Sequence, residues 1–468
     1  MKSFLTKLDS FFKIKERGSS FSKELIGGLT IFLAMVYILP VNAGILSETG
    51  MSFAAVFAAT ALAAGLTTIF MGVYANYPIG LASGMGVNAF FTFTVCSPFG
   101  LGFSWEEALA AVLISGVLFV IISLTNLRKK MINAIPKDLK LAIGAGIGFF
   151  IAFIGLRNAG IIVHSEATGV MLGNLAHPAV LLALFGIVLA FVLYAAKSRF
   201  AVIISIVVTG LLGVVLGLLG VEFMPTYVGG SLGSVAEISK TFGKAFTAIP
   251  SLLKRPEAYA VIFTFLFVDF FDTAGTLVAV GHDAGMLDNQ GQLIGDKKAF
   301  LVDAVGTVTG AVLGTSTVTS FVESTTGIQA GARTGLSATV VGILFLLSLL
   351  IYPVFGFVGG INSGYVDSFG GVIYYSPVTA MALVLVGTLM VKSLKELDWN
   401  NLISVSSGFI AIIMMILTNS IADGIAFGVI TYVIMMLASK KYKEVNLTMY
   451  ILAALFIINL IIKFTVLS

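Results

Sequence analysis

Three acidic residues inside long apolar stretches of this chain are the strongest candidates for chemistry. Asp269 and Asp272 stand three apart in the run 257–281, so a helix would present both on one face. Glu323 falls in another run, at residues 316–332. A charged side chain at the centre of a membrane helix costs about 2.5–3.5 kcal/mol, which favours a functional role for these acids. A purely structural role, capping a helix or bonding hydroxyl groups, stays open for Asp269 and Glu323.

The chemistry that these acids offer is the recognition of N–H donors. A carboxylate accepts two adjacent N–H groups in a fork, as the N1 and exocyclic amine edge of guanine offers. The amide of Asn88 supplies a donor and an acceptor for another edge. Such groups together suit a planar, neutral heterocycle. The polar and small candidates for contact with this ligand are Gly86, Asn88, Asp269, Asp272, Glu323 and Thr325.

Aromatic side chains near the same positions are candidates for stacking on the ring. A base stacked on an aromatic side chain gains about 1–3 kcal/mol. Because the chain contains 38 phenylalanines, packing in the core or against lipid stays open for each of them. The aromatic candidates are Tyr37, Phe90, Phe271 and Phe321.

Buried acids that stand close together also provide a means of coupling. They can take up and release a proton, so Asp269, Asp272 and Glu323 are candidates for proton coupling. One charge moving inward across about 100 mV yields roughly 2.3 kcal/mol. Sodium coupling stays open, because backbone carbonyls at interrupted helices could form a sodium site. We expect no cofactor, no resident metal and no catalytic residue.

The composition indicates a lipid environment around these residues. Hydrophobic residues make up 58% of the 468 and charged residues 11%, against roughly 25% charged in a soluble domain. The net charge is only +4, and most of the positive residues lie in short loops. This pattern indicates membrane topology rather than nucleic-acid binding. The single cysteine, Cys96, excludes an internal disulfide.

Fourteen membrane-spanning segments are predicted, in two halves of seven. An additional apolar run at 446–466 either adds a crossing, lies flat on the membrane or merges with its neighbour. The segments of the first half are 24–42, 51–74, 79–97, 105–127, 136–159, 178–197 and 200–221. Those of the second half are 257–281, 298–314, 316–332, 334–352, 374–392, 400–418 and 422–438.

The N-terminal segment 1–23 carries six basic residues and no small-residue cleavage site, so it is not a signal peptide. Basic residues return in the connections at 128–130, 197–199 and 440–443. The positive-inside rule therefore places the N-terminus and these connections in the cytoplasm. We expect a multi-pass protein of the plasma membrane.

The third segment of each half is interrupted. Residues 78–88 (PIGLASGMGVN) contain too much glycine for a stable helix, so we expect extended chain and a helix that begins only near Asn88. Residues 315–322 (TSTVTSFV) are β-prone, and Glu323 follows them. Matching interruptions in two halves are typical of an inverted-repeat transporter whose site lies between them. Two such strands could pair, and their half-helices would direct N-terminal amides at one place.

Several motifs resemble those of a known family. Residues 84–91 (GMGVNAFF), 269–276 (DFFDTAGT) and 319–327 (TSFVESTTG) are similar to the AzgA-like guanine, hypoxanthine and adenine permeases of the nucleobase-cation symporter-2 group. Residues 27–37 and 419–425 are similar to the same branch, so the resemblance covers nearly the whole chain.

The resemblance implies a core domain that moves against a gate domain, with uptake of purine nucleobases by proton symport. By analogy, it also suggests a homodimer formed through the gate domain. The implied division is 1–23 as a cytoplasmic segment, 24–130 and 256–356 as the core domain, and 131–255 and 357–468 as the gate domain.

The resemblance also assigns individual residues. Relatives for uracil and xanthine carry a Glu where this chain has Asp272, and the shorter side chain leaves room for a bicyclic purine. Glu323 corresponds to the acid that the family carries in its tenth segment. Gly86 and Asn88 correspond to the half-helix in the family's third segment. Asp269 belongs to the AzgA-like pattern.

Alternatives remain for the function. A transporter of xanthine or uracil and an anion transporter of the same fold are the closest, although three acids disfavour an anion. A hydrolase using Asp269 and Asp272 is disfavoured, since residues three apart on one helix cannot easily flank a scissile bond. Among purines the carboxylate fork favours guanine and hypoxanthine; adenine, which has no N1 proton, stays possible.

Overall fold

The structure is a computed structural model that describes residues 2–97, 100–125, 136–165, 167–198, 200–227, 232–286, 294–355, 361–366 and 372–467. Its elements are mostly helical, and nine helices among these residues are long and apolar enough to cross a membrane. The predicted all-α polytopic membrane fold is thereby confirmed. The predicted domain boundaries at 130 and 356 lie outside the described residues.

The helices follow the predicted segments closely. In chain order they are α1 Lys2–Phe12, α2 Phe21–Met35, α3 Ile38–Ser47, α4 Phe53–Phe70, α5 Met85–Ala89, α6 Trp105–Leu124, α7 Lys137–Asn158, α8 Pro178–Ala195, α9 Ala201–Leu218, α10 Lys244–Leu252, α11 Ala258–Asp283, α12 Asp296–Leu313, α13 Ser324–Gln329, α14 Gly335–Leu347, α15 Pro377–Val391, α16 Leu402–Leu417, α17 Ile421–Ala438 and α18 Leu447–Leu467.

Shorter elements complete the chain. Two π-helical stretches, Met71–Ala75 and Phe90–Cys96, extend α4 and α5. The 3₁₀ stretches are Leu232–Lys240, Ser348–Phe355, Lys392–Glu396 and Tyr442–Glu444. The strands are β1 Leu81–Ser83, β2 Ile162–Ser165, β3 Gly169–Leu172, β4 Val318–Ser320, β5 Ile361–Val366 and β6 Val372–Tyr375.

Both predicted interruptions are present, and they meet. Strand β1 lies in the third segment and β4 in the tenth, and the two pair antiparallel with Ala82 opposite Thr319. Two further backbone bonds extend the pairing, from Gly84 N to the Thr317 oxygen and from Phe321 N to the Gly80 oxygen, both 3.0 Å. Every residue of both strands is buried. The extended backbone survives in the protein interior because the strands pair with one another and side chains accept from the N–H groups that point away, as Thr68 Oγ1 does from Leu81 N at 2.9 Å.

One predicted helix start was wrong. Helix α5 begins at Met85, not near Asn88, after Gly84 in an extended conformation. The side chain of Asn88 therefore does not cap this helix, and its amide oxygen accepts a bond from Ser83 Oγ at 2.9 Å instead. The first predicted span also departs from a single helix, because α2 ends at Met35 and α3 begins at Ile38.

Glycines allow the closest helix contacts. A Cβ on Gly342 of α14 would lie 2.5 Å from the Gly65 oxygen of α4, within the predicted core domain. A Cβ on Gly387 of α15 would lie 2.4 Å from the Gly148 oxygen of α7, within the predicted gate domain. Real Cβ atoms cannot approach a carbonyl oxygen so closely, so each pair of helices depends on small residues at its crossing.

Candidate functional site

Glu323 lies at the point where β4 ends and α13 begins. Extended chain gives way to helix here, so the side chain leaves the backbone beside the paired strands. The hydroxyl of Tyr37, in the turn between α2 and α3, donates to Glu323 Oε1 at 2.8 Å. Tyr37 is 2% exposed, whereas Glu323 is half-buried. Tyr37 therefore fixes one carboxylate oxygen of Glu323, while part of the Glu323 side chain remains exposed.

The two acids of α11 have different surroundings although they share one helix. Asp272 is half-buried, and its carboxylate interacts electrostatically with that of Glu323. Asp269 is 1% exposed, and its Oδ2 accepts a bond from Thr307 Oγ1 of α12 at 2.6 Å. The Oδ1 atom of Asp269 is buried without a hydrogen-bond partner. Asp272 thus lies with Glu323, and Asp269 points into the contact between α11 and α12.

A fourth buried carboxylate, Asp303 of α12, was not among the predicted residues. It is fully buried, and Ser320 of β4 donates to its Oδ1 from both the backbone N (2.8 Å) and Oγ (2.6 Å). Thr273 Oγ1 of α11 donates to Oδ2 at 2.5 Å. Asp303 therefore joins α11 and α12 to β4, the strand that precedes Glu323. The signal available in the sequence was an acid inside the apolar segment 298–314, the same signal that identified Asp269.

Asn88 lies on α5, in a separate polar network that includes the first strand. Ser83 Oγ, which donates to Asn88 Oδ1, accepts a weak bond from Thr315 Oγ1 at 3.4 Å. Asn42 of α3 donates to Thr315 Oγ1 at 2.8 Å. Asn88 is fully buried, and its Nδ2 has no partner. An amide with two unused N–H groups next to the paired strands is able to donate to a ligand carbonyl.

Two of the aromatic candidates pack on other rings. Phe90 is 2% exposed and meets the ring of Phe265 edge-on at 4.9 Å. Phe271 is half-buried, lies beside Asp272 in the chain and contacts the ring of Phe267 at 4.6 Å. Phe90 therefore packs in the core, the alternative that the sequence left open for it. Part of the Phe271 side chain remains exposed.

The remaining candidates lie on the two half-helices and directly after β4. A Cβ on Gly86 would lie 2.7 Å from Ile147 Cγ2, so this glycine faces α7. Thr325 is half-buried, and its hydroxyl donates to the Val322 oxygen at 2.9 Å. Phe321 is 6% exposed and follows β4 directly. Thr325 and Phe321 therefore flank Glu323, and Gly86 serves the contact between two helices.

Carboxylates gather where α11, α12 and the paired strands meet. Asp269 interacts electrostatically with Asp303 and with Asp272, and Asp272 in turn with Glu323. Both oxygens of Asp303 and one oxygen of Asp269 accept from protein donors, and both side chains are buried, whereas Asp272 and Glu323 are half-buried and remain for a ligand. Four acids within interaction distance cannot all carry a negative charge at low energetic cost. The arrangement is suited to hold a proton and to accept N–H donors.

The chain is similar to known permeases over nearly its whole length. The model of the family described as Permease family (Xan_ur_permease) matches residues 22–427. Guanine/hypoxanthine permease PbuG of Bacillus subtilis is 45% identical, with 97% of this chain and 99% of that protein covered. Adenine permease AdeQ of Escherichia coli is 38% identical, with 97% and 96% covered.

A solved structure shares the fold at low sequence identity. The transmembrane domain of the bicarbonate transporter BicA from a cyanobacterium superposes with a TM-score of 0.58, at 14% identity, over 87% of this chain and 97% of that one. A likeness at this identity concerns the path of the backbone alone.

Proposed function

Since the chain belongs to the xanthine/uracil permease family, in its purine branch, we propose that it imports purine nucleobases across the plasma membrane in symport with protons. It is a transporter and not an enzyme. The observation that carries the proposal is the half-buried pair Asp272 and Glu323 at the junction of β4 with α13. Relatives that carry the names guanine/hypoxanthine permease and adenine permease support nucleobases as the substrate class.

In this proposal Glu323 binds the substrate edge that bears N–H groups. Tyr37 holds Oε1, which leaves Oε2 and the second lone pair of Oε1 to accept from the ring N–H and the neighbouring amine of guanine. Hypoxanthine offers the ring N–H alone, so we expect it to bind somewhat more weakly. The free Nδ2 of Asn88 is the proposed donor to a carbonyl or ring nitrogen on another edge.

In this proposal the coupling proton binds to the same group of acids. Asp272 and Glu323 repel one another when both are ionised, so proton uptake at one of them favours the binding of a neutral purine beside the other. Asp269 and Asp303 contribute to the negative potential but have their own hydroxyl donors, which favours an anchoring role for both. Sodium is the alternative coupling ion.

We further propose that the core domain moves against the gate domain, with the N-terminus in the cytoplasm. Polar contacts join the two domains at the end that this orientation places outside. Asn158 Nδ2 of α7 donates to Glu48 Oε1, beyond α3, at 3.2 Å, and Thr94 Oγ1 donates to the Asn419 oxygen at 2.9 Å. These contacts between the two domains support the proposal that the site opens inward. A homodimer through the gate domain completes the proposal.

The test is uptake of radiolabelled hypoxanthine into proteoliposomes that contain the purified protein. We expect an inwardly directed proton gradient to drive accumulation in sodium-free buffer, and a proton ionophore to abolish it. Unlabelled guanine should compete most strongly, adenine and xanthine less, and uracil least. A strict requirement for sodium would overturn the proton assignment. Inhibition by uracil alone would overturn the purine assignment.

A further inference from the structure

The N-terminal helix α1 takes no part in the proposed transport site. Its apolar residues recur in the sequence at spacings of three and four, a pattern typical of an amphipathic helix. The first 17 residues contain five basic and two acidic side chains, so the segment is also cationic. The apolar residues in this pattern are Phe4, Leu5, Leu8, Phe11 and Phe12.

The end of α1 is fixed to the core domain. Phe12 is 4% exposed and packs in a small apolar cluster with Leu336 of α14. Asn76, after α4, donates from Nδ2 to the Phe12 oxygen at 2.9 Å. Arg17 Nη1 donates to the Asn76 oxygen at 2.6 Å and to the Arg333 oxygen at 3.2 Å. These contacts hold α1 at the proposed cytoplasmic ends of core helices.

The neighbouring aromatic residue points outward. Phe11 is 57% exposed, although its ring meets that of Phe12 edge-on at 4.9 Å. Lys7 stands one helical turn earlier and is also exposed, so the ring and the ammonium share a face. An aromatic ring at the boundary of headgroups and acyl chains, with a lysine beside it that reaches phosphate, is typical of a helix in a membrane interface.

We propose that α1 lies on the cytoplasmic leaflet and binds anionic lipid headgroups, with Phe11 inserted and Lys7 at the phosphates. This inference rests on the orientation given under the proposed function. Lys13 is paired with Glu16, Lys15 with Asp9, and Arg17 contacts the core domain. The exposed Lys7 is therefore the charge by which we expect α1 to prefer an anionic lipid surface over a neutral one. Because Arg17 and Phe12 are fixed to the core domain, the bound helix ties the moving domain to the leaflet. A core domain that shifts across the membrane has to carry α1 with it or release it from the lipid.

The experiment uses the fluorescence of a tryptophan placed at position 11. Phe11→Trp is made in the full chain with both native tryptophans replaced, Trp105→Phe and Trp399→Phe. The protein is reconstituted in phosphatidylcholine vesicles with and without one quarter phosphatidylglycerol, and the phosphatidylcholine is brominated near the headgroup end of its acyl chains. We expect bromine to quench the emission strongly in the anionic vesicles and iodide to quench it little.

Two lysine variants separate the outcomes. Lys7→Gln should weaken the headgroup interaction about fivefold and raise iodide access in the anionic vesicles. Lys395→Gln, a matched exposed lysine after α15, should change neither signal. Unquenched, iodide-accessible emission would overturn the membrane contact, and equal quenching in both vesicles would overturn the anionic preference. Since the readout is independent of uptake, its failure would leave the proposed substrate and coupling intact.

Discussion

The two interrupted segments have nearly the same backbone conformation, but their side chains differ in polarity and charge. Each consists of a three-residue strand followed by a short helix, and the strands pair with one another. The first strand, LAS, is flanked by Gly80 and Gly84, and no charged residue lies in the surrounding stretch 78–96. The second strand, VTS, is preceded by three hydroxyl residues, and Glu323 follows it after two apolar residues. The inverted repeat therefore supplies a symmetric frame, and the second half supplies most of the charge.

The difference shows how each half contributes to the site. A Cβ on Gly84 would lie 2.8 Å from Thr319 Cγ2, so the first segment allows close approach of the strands. Ser320 of the second segment is held by Asp303, and Glu323 follows three residues later. The hydrogen bonds between Ser320 and Asp303 hold β4 in place and thereby position Glu323, which follows the strand. Substitutions in the second segment should act on binding and coupling, and those in the first should act mainly on packing.

The largest effect on folding is expected from Asp303→Asn. The variant keeps one acceptor oxygen and places an NH₂ group against the donors of Thr273 or Ser320. Leaving buried donors unsatisfied should lower the free energy of unfolding by about 3 kcal/mol. Thermal unfolding in detergent measures this loss. Asp296→Asn, near the start of the same helix, is the matched control and should stay within about 0.5 kcal/mol of the parent protein.

A smaller effect, confined to substrate binding, is expected from Tyr37→Phe. The change removes the hydroxyl that donates to Glu323 Oε1 and keeps the ring in its buried place. A hydrogen bond to a charged group contributes about 1.5–3 kcal/mol, so hypoxanthine affinity should fall about tenfold or more. The melting temperature should fall by a few degrees at most, because Glu323 is half-buried and water can replace the lost donor. Unaltered affinity would show that Glu323 is positioned without Tyr37.

The smallest effect is expected in the first segment. Gly84→Ala places a methyl group against Thr319 Cγ2 and should destabilise the protein by about 1–2 kcal/mol. Thr319→Ser removes that methyl and keeps the hydroxyl that meets Thr273 Oγ1 at 3.2 Å. The double variant should therefore recover most of the lost stability in thermal unfolding. Additive losses in the pair would contradict close packing as the role of Gly84.

The sequence predicts the frame of the site well, for reasons that are local. Glycine around residues 78–88 and β-prone hydroxyl residues at 315–322 both oppose helix, and lipid allows extended backbone only where it is covered. The helix start near Asn88 was wrong because Gly84 already adopts the extended conformation that precedes a helix. The side chain of Asn88 is engaged with Ser83 instead.

The contacts between segments that are far apart in the chain could not be predicted from the sequence. Asp303 has the same local signal as Asp269, but its donors come from α11 and β4, and only the folded chain brings them together. The division of the acids into half-buried and fully buried pairs depends on the same packing. Phe90 meets Phe265 edge-on, and the sequence alone cannot single out this partner among many phenylalanines.

The most direct test of the central claim is calorimetric binding of guanine to purified protein that carries Glu323→Gln, with Asn88→Ala as the comparison from the first segment. The amide keeps the shape of Glu323 and loses the fork that accepts two N–H groups. We expect at least a hundredfold loss of affinity in Glu323→Gln and a loss of about tenfold in Asn88→Ala, with both proteins folded. Guanine binding by Glu323→Gln at the affinity of the parent protein would contradict the account.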